Sequence, residues 1–203
     1  EPYRRQRQMC IRDRSKADFL IGLFGFFFTQ ATGIGFLFLV FQQIPNLADW
    51  TLPQLIFIYG FAQIPRGLDH LFTDNIWMVA WHLVVNGKFD RYMLRPMNLF
   101  LQVIFEKLQP DALGELLVGA ILISVSFAKG IVILDIPHIV LFFVSVAAGA
   151  VIYTAIKLLF ASLAFWMKVS GPVLYTAYQL ADFAKYPSEI YAKGVKFIIT
   201  WVI

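Results

Sequence analysis

Phe19 to Phe41, FLIGLFGFFFTQATGIGFLFLVF, runs for twenty-three residues without a charged side chain. A hydrocarbon layer of about 30 Å is crossed by roughly 20 apolar residues of α-helix, so this stretch is long enough to span a bilayer. Ile139 to Ile156, IVLFFVSVAAGAVIYTAI, supplies another eighteen. Both runs are apolar on every face, whereas a membrane β-barrel shows shorter segments of strict alternation. Composition agrees. Of the 203 residues, 59% are hydrophobic, 17% aromatic and only 15% charged, against about 45–50% apolar in an ordinary soluble chain. That excess is hard to bury in one water-soluble core of this size. The expected fold class is all-α: a polytopic transmembrane helical bundle.

Outward from the first run, a span is predicted from about Asp18 to Gln42, with Gly22, Gly25, Gly33 and Gly35 letting neighbouring helices approach. Ile44 to Gln54 follows, holding Asp49 and Trp50 and no basic residue. A second span begins near Leu52 and turns polar at Pro65, Arg66, Asp69, His70 and Asp74; Pro65 predicts an end or bend there. Ile76 to Val85 is apolar but short. Asn86 to Pro96 then carries Lys88, Arg91 and Arg95, joined later by Lys107. By the positive-inside rule this segment and the N-terminus are expected in the cytoplasm, and the Asp49 loop outside.

A third span is predicted from about Leu113 to Leu134, with Lys129 snorkelling at its far end. Asp135 to His138 reads as a tight outer turn. The fourth span runs from Ile139 to about Ala161, with Lys157 near the inner face. A fifth is predicted from Phe165 to Phe183, although Lys168, Gly171-Pro172 and Asp182 interrupt it; an amphipathic surface helix is the alternative. Tyr186-Pro187 punctuates the chain. The last apolar stretch, Phe197 to Ile203, is too short to span, so about five spans are expected here and a sixth is expected to be truncated. No internal repeat or linker is evident, and residues 15–203 read as one membrane domain.

Residues 1–14 are set apart by five arginines. Met9-Cys10-Ile11-Arg12-Asp13 is what the string ATGTGTATAAGAGAC encodes, part of a transposase adapter used in sequencing libraries. The segment is therefore read as a translated, non-native adapter, with a basic juxtamembrane tail as the alternative. It is not a signal peptide, because the apolar run behind it is too long and lacks a cleavage site. The formal charge of +4 falls to +1 when residues 1–14 are set aside, which removes the case for a nucleic-acid partner. Cys10, the sole cysteine, goes with them, leaving no disulfide, thiolate metal site or catalytic thiol.

Signatures of soluble enzymes are missing from the sequence. It has no G-x-x-x-x-G-K-[ST], H-E-x-x-H or G-x-S-x-G. His70, His82 and His138 stand apart and read as polar groups at helix ends, so no metal site is assigned. Ionisable groups at membrane depth are functional hypotheses by default. Arg66 and Asp69 are spaced to pair on one helix face, or to meet headgroups at the inner end of the second span. Asp111 and Glu115 suit the N-terminal dipole of the third helix, which explains them without catalysis. The long uncharged windows offer no acid for a proton-coupled carrier.

Gly87-Lys88-Phe89-Asp90-Arg91-Tyr92-Met93-Leu94-Arg95-Pro96 resembles the G-x-[FL]-D-x-x-L-x-[RK]-P motif of ABC-2 type permeases. More narrowly, the chain looks like the bacterial ABC-2 family transporter proteins, formerly a domain of unknown function. Gln109 to Leu116 (QPDALGEL) opens the third span as in that family. Phe183-Ala184-Lys185-Tyr186-Pro187-Ser188-Glu189-Ile190-Tyr191 is similar to its F-x-x-Y-P-x-x-I-Y signature. The resemblance covers residue 16 to the end, except the family's final span and the segment that enters it.

The resemblance implies a permease half-unit with six spans, an exporter rather than an importer. It implies dimerisation, as a homo- or heterodimer, and a separate cytoplasmic ATPase as partner. The chain itself is expected to bind no cofactor, ATP being used by that partner. The motif suits a coupling helix: Gly87 permits a turn, and Pro96 ends one short helix and is tolerated at the start of the next. Phe89, Met93 and Leu94 would give apolar contact; Lys88, Asp90, Arg91 and Arg95 would give polar contact. An interfacial amphipathic helix is the alternative reading of the same residues. Phe183, Tyr186, Pro187 and Tyr191 are placed at the outer end of the fifth span. An ion-coupled secondary carrier would instead show paired repeats with broken helices, and a membrane-embedded enzyme would cluster His, Asp or Ser at one depth. Neither feature is visible in the sequence.

Overall fold

The computed structural model describes residues 2–43, 50–130, 135–187, 191, 192, 194 and 196. The expected Asp49 loop, the end of the third span at 131–134 and the final stretch from Phe197 to Ile203 lie outside the described residues. Among the described residues the chain is helical and has no β-strand.

α1 (Pro2–Gln43) is one unbroken helix that runs back through the basic segment, so the compositional change at Ser15 is not a structural boundary. α2 (Leu52–Thr73) is capped by Thr51 with Gln54 and starts with Pro53 in its first turn. A three-residue turn α3 (Ile76–Met78) passes into a π-helical turn (Val79–Leu83). Two short helices follow, α4 (Asp90–Met93) and α5 (Leu99–Phe105). A 3-10 turn (Pro110–Ala112) leads into α6 (Leu113–Ala128), and α7 (Ile136–Ser162) is the longest helix after α1. α8 (Ala164–Met167), α9 (Gly171–Ala181) and a 3-10 turn (Asp182–Lys185) complete the order.

α2 lies between α6 and α7 and packs on both. Its crossing with α6 is set by Gly60 and Gly119. A Cβ on Gly60 would stand 2.7 Å from Leu122 Cβ, and one on Gly119 would stand 3.0 Å from Gly60 O. Backbones can meet this closely only where both helices carry small residues. Of the α1 glycines expected to do this work, Gly33 does, a Cβ there standing 3.1 Å from the Tyr59 hydroxyl, whereas around Gly25 and Gly35 there is open space. The outer face of α1 leaves Phe24, Phe28, Phe36 and Leu39 exposed.

Pro65 does not end α2. The helix continues through it to Thr73, because Gly149 of α7 makes room for the ring; a Cβ there would meet Pro65 Cβ at 2.9 Å. Neighbouring packing thus holds a proline-containing turn that an isolated helix would break. Asp135 to His138 is not a turn either. Asp135 accepts the Ile139 amide at 3.1 Å and Ile136–His138 form the first turn of α7, with Pro137 where its fixed φ suits a helix start.

The predicted fifth span is broken at Lys168, whose φ is 65°. The eleven residues of α9 cover about 16 Å at 1.5 Å per residue, half a hydrocarbon layer. One face of α9, with Leu174, Tyr178 and Ala181, is buried against α3, α7 and the π-turn, and its other face is exposed. Among the described residues three helical stretches are both long and apolar enough to cross a membrane: Leu20–Gln43, Pro110–Ala128 and Ile136–Met167. α2 has the length, about 33 Å at 1.5 Å per residue, but carries polar side chains through its lower half.

Candidate functional site

Those polar side chains form a stripe. Tyr59, Gln63, Arg66, His70 and Asp74 recur every three or four residues, which puts them on one face of α2. In lipid such a face would be prohibitively costly. Here it is enclosed by α1, α6, α7, α9 and the 3-10 turn after α9, and each of those elements supplies a partner.

At one end, Gln30 of α1 accepts from the Tyr59 hydroxyl and from Gln63 Nε2 at 3.0 Å. Next, the Arg66 guanidinium binds the Asp182 carboxylate, while its Nε stands 3.8 Å from Glu115 Oε1 of α6. Lys185 Nζ adds a second cation 3.4 Å from Asp182. At the other end lies Asp69, completely shielded. Its Oδ1 accepts from the Thr73 and Thr154 hydroxyls, and its Oδ2 accepts from the Tyr178 hydroxyl at 2.9 Å and faces Lys157 Nζ at 2.7 Å. Tyr178 is itself wedged between Trp77 and Tyr153, with Arg66 and Lys157 over its ring at 5.4 and 5.3 Å. A buried carboxylate is tolerable only when paired and fully hydrogen-bonded; Asp69 meets both conditions.

Three expectations change. Arg66 and Asp69 neither pair with each other nor point at headgroups: each reaches a different helix. Glu115 does stand in the first turn of α6, but it is also buried against Arg66 and His70, whereas Asp111 is exposed. His70 stands in the last turn of α2 but is not alone, with Glu115 at 2.9 Å and Asp74 at 3.4 Å. The acids of this cluster lie outside the uncharged windows, so those windows could not reveal them. The α2 spacing, and the single charges Glu115, Lys157 and Asp182 inside apolar stretches, were the available signals. Among the described residues no three His, Cys, Asp or Glu side chains are placed to hold a metal ion.

The Gly87–Pro96 segment projects from the end of the bundle beyond Asp74. Gly87 takes φ +62°, the left-handed conformation that closes a helix and that a side chain disfavours. Phe89 and Tyr92 turn inward onto a core of Ile76, Val79, Leu83, Val103 and Leu174; Phe89 meets Phe165 edge-on at 4.9 Å. Arg91 Nη2 donates to Glu106 at 2.7 Å, and the Tyr92 hydroxyl donates to the same carboxylate. Burial and that carboxylate raise the Tyr92 phenol above its ordinary pKa. So Phe89, expected to give apolar contact, is buried in the core, while Arg91 stays half-exposed beside Glu106. Lys88, Asp90 and Arg95 are exposed, as are Met93 (60%), Leu94 (85%) and Met97 (67%). Pro96 lies between α4 and α5, and Asn98 caps α5 by accepting the Phe100 and Leu101 amides.

The second motif folds on itself. Tyr191 donates to the Phe183 carbonyl at 2.8 Å and packs edge-on against its ring. Tyr186 lies beside Tyr59 of α2 at 6.2 Å, and Pro187 is buried. Two cavities flank α7. One of about 530 Å³ is lined by Phe57, Phe61, Phe127 and Phe142, and one of about 520 Å³ by Leu68, Phe72, Phe100 and Val151 above Asp69.

The family model described as "ABC-2 family transporter protein" matches residues 27–203. The chain belongs to this family. As an ABC-2 transporter it is a membrane permease component, and the family implies association with an ABC ATPase in general. No curated protein and no solved structure matches the chain.

Proposed function

We propose that this ABC-2 protein is the permease subunit of an exporter in a bacterial cytoplasmic membrane. It dimerises and is driven by a separate cytoplasmic ATPase that docks on the Gly87–Pro96 end of the bundle. The observation that carries the reading is the ledge of Met93, Leu94 and Met97, exposed while Phe89 and Tyr92 root it in the core. An apolar ledge on a rigid base, flanked by free-standing Lys88, Asp90 and Arg95, suits a protein groove: apolar anchors supply affinity and rim charges supply register. The basic count of this segment supports a cytoplasmic orientation, and with it a cytoplasmic N-terminus. The absence of a nucleotide loop from these 203 residues fits an energy source in a partner. The apolar cavities beside α7 suit a substrate with an apolar portion.

The test is co-expression of the full-length permease with ABC-type P-loop ATPases from the same genome. One of them should co-purify with the permease, and transport in reconstituted vesicles should require ATP. Transport that proceeds undiminished without any ATPase, driven by an ion gradient, would replace this reading with that of a secondary carrier.

A further inference from the structure

The polar cluster around α2 holds four carboxylates, from Asp69, Asp74, Glu115 and Asp182. Three cationic side chains face them: Arg66, Lys157 and Lys185. The fourth basic group is His70. Its Nδ1 lies 2.9 Å from Glu115 Oε1 and its Nε2 lies 3.4 Å from Asp74 Oδ1. The first is a hydrogen bond and the second an ion-pair distance; a neutral imidazole, with one N–H and one lone pair, can bond Glu115 but then leaves a lone pair facing the Asp74 carboxylate. Only the imidazolium donates from both nitrogens.

We propose that His70 is a proton-binding site of this bundle, held as an imidazolium clamped between Glu115 of α6 and Asp74 at the end of α2.

The acidic and aromatic neighbours of the ring fit that state. Glu115 is buried, and its Oε2 has no hydrogen-bond partner among the described residues, so its charge relies on His70 and Arg66. Asp74 is shared with Lys157 Nζ at 3.6 Å and with Gln109 Nε2 at 3.2 Å. Tyr178 of α9 stacks on the ring, centroids 6.0 Å apart and planes 26° apart, presenting the electron-rich face that favours a cation. The repulsive neighbours are Lys157 and Arg66, and each is already held by its own carboxylate, Asp69 and Asp182. With the proton the cluster balances four charges against four. Without it, one carboxylate is left in a low-dielectric interior lacking a countercharge. The His70 side chain keeps 28% of its surface exposed, which gives the proton a way in and out. Loss of the proton removes the charge that ties α6 to the lower end of α2.

The direct test is nitrogen-15 NMR of the full-length protein, with labelled histidine and His82 and His138 replaced by Gln, at pH 7.5. Both His70 nitrogens should show imidazolium shifts, although an ordinary imidazole with pKa about 6.5 is mostly neutral there. A neutral tautomer, with the proton found on a carboxyl group instead, would overturn the assignment. A second arm compares thermal unfolding of detergent-purified variants. His70→Gln should lower the midpoint by several degrees, and adding Glu115→Gln should return at least half of the loss, because the stranded charge is then gone. A double variant that only adds further loss would also sink the proposal.

Discussion

Lys157 and Asp69 meet 2.7 Å apart across α7 and α2 with no solvent-exposed surface on either side chain. A pair this deep is a commitment of the fold. The lysine comes five residues before the end of a 27-residue apolar helix, so its ammonium has no route to water except through the cluster. Lys157→Met should therefore strand the Asp69 carboxylate and cost about 3–5 kcal/mol. Membrane levels and the thermal midpoint in detergent should both fall. Asp69→Asn with Lys157→Met should recover part of that loss, because no unpaired charge remains. A single variant as stable as the parent would show that the pair is open to water.

The contact of α2 with α6 yields a second prediction. Gly119→Val should lower the unfolding midpoint, since even its Cβ would press on the Gly60 carbonyl and on Ile64 Cγ1 at 2.9 Å. Overpacking of this kind costs about 1–3 kcal/mol. Gly25→Ala on α1, with nothing within 4 Å, should leave the midpoint unchanged. Equal effects at the two sites would place Gly25 in a tight contact absent here.

These two helices also mark what the sequence could convey. The α-helical membrane class was legible because Phe19 to Phe41 and Ile139 to Ile156 are uncharged over a bilayer's thickness, a one-dimensional property. The Gly87 turn was legible because a single residue's backbone freedom decides it. The cluster was not. Arg66 and Asp182 are 116 residues apart, and Asp69 and Tyr178 are 109 apart, so no local spacing links them. Local reasoning could only offer Arg66 a pairing with Asp69, three residues away, or the headgroups, but their tertiary partners hold them on separate neighbours. The same limit explains Pro65, whose helix survives through Gly149 of α7, and α9, whose shortness is compensated by burial against α7.

Orientation gives the third prediction. In a Cys10→Ser background, single cysteines at Asn46 and Lys88 should react oppositely with an impermeant maleimide in intact cells. Asn46 should label, and Lys88 should label only after the membrane is opened. Three basic residues between Lys88 and Arg95 set this direction. Labelling of Lys88 in intact cells, with Asn46 protected, would invert the bundle and remove the cytoplasmic docking surface.

The last prediction concerns that surface and separates residues that build it from residues that use it. Phe89 is 8% exposed and packs on Phe165, so Phe89→Ala should act on folding, lowering membrane levels. Leu94 is 85% exposed, and Asp90 and Arg95 have no side-chain partner among the described residues. Leu94→Glu, Asp90→Ala and Arg95→Ala should therefore leave membrane levels and the thermal midpoint near those of the parent. If the ATPase docks here, each removes an apolar anchor or one member of a desolvated polar contact. A loss of about 2 kcal/mol or more is typical of the latter, roughly a thirtyfold weaker complex. The comparison measures recovery of the ATPase on the purified permease, and ATP turnover stimulated by the permease in vesicles. The expected pattern is normal permease with little ATPase recovered. Full recovery and normal turnover in all three variants would reduce the segment to a surface anchor. Loss of the permease itself would move Leu94, Asp90 and Arg95 from the docking face into the folded core, where this structure does not put them.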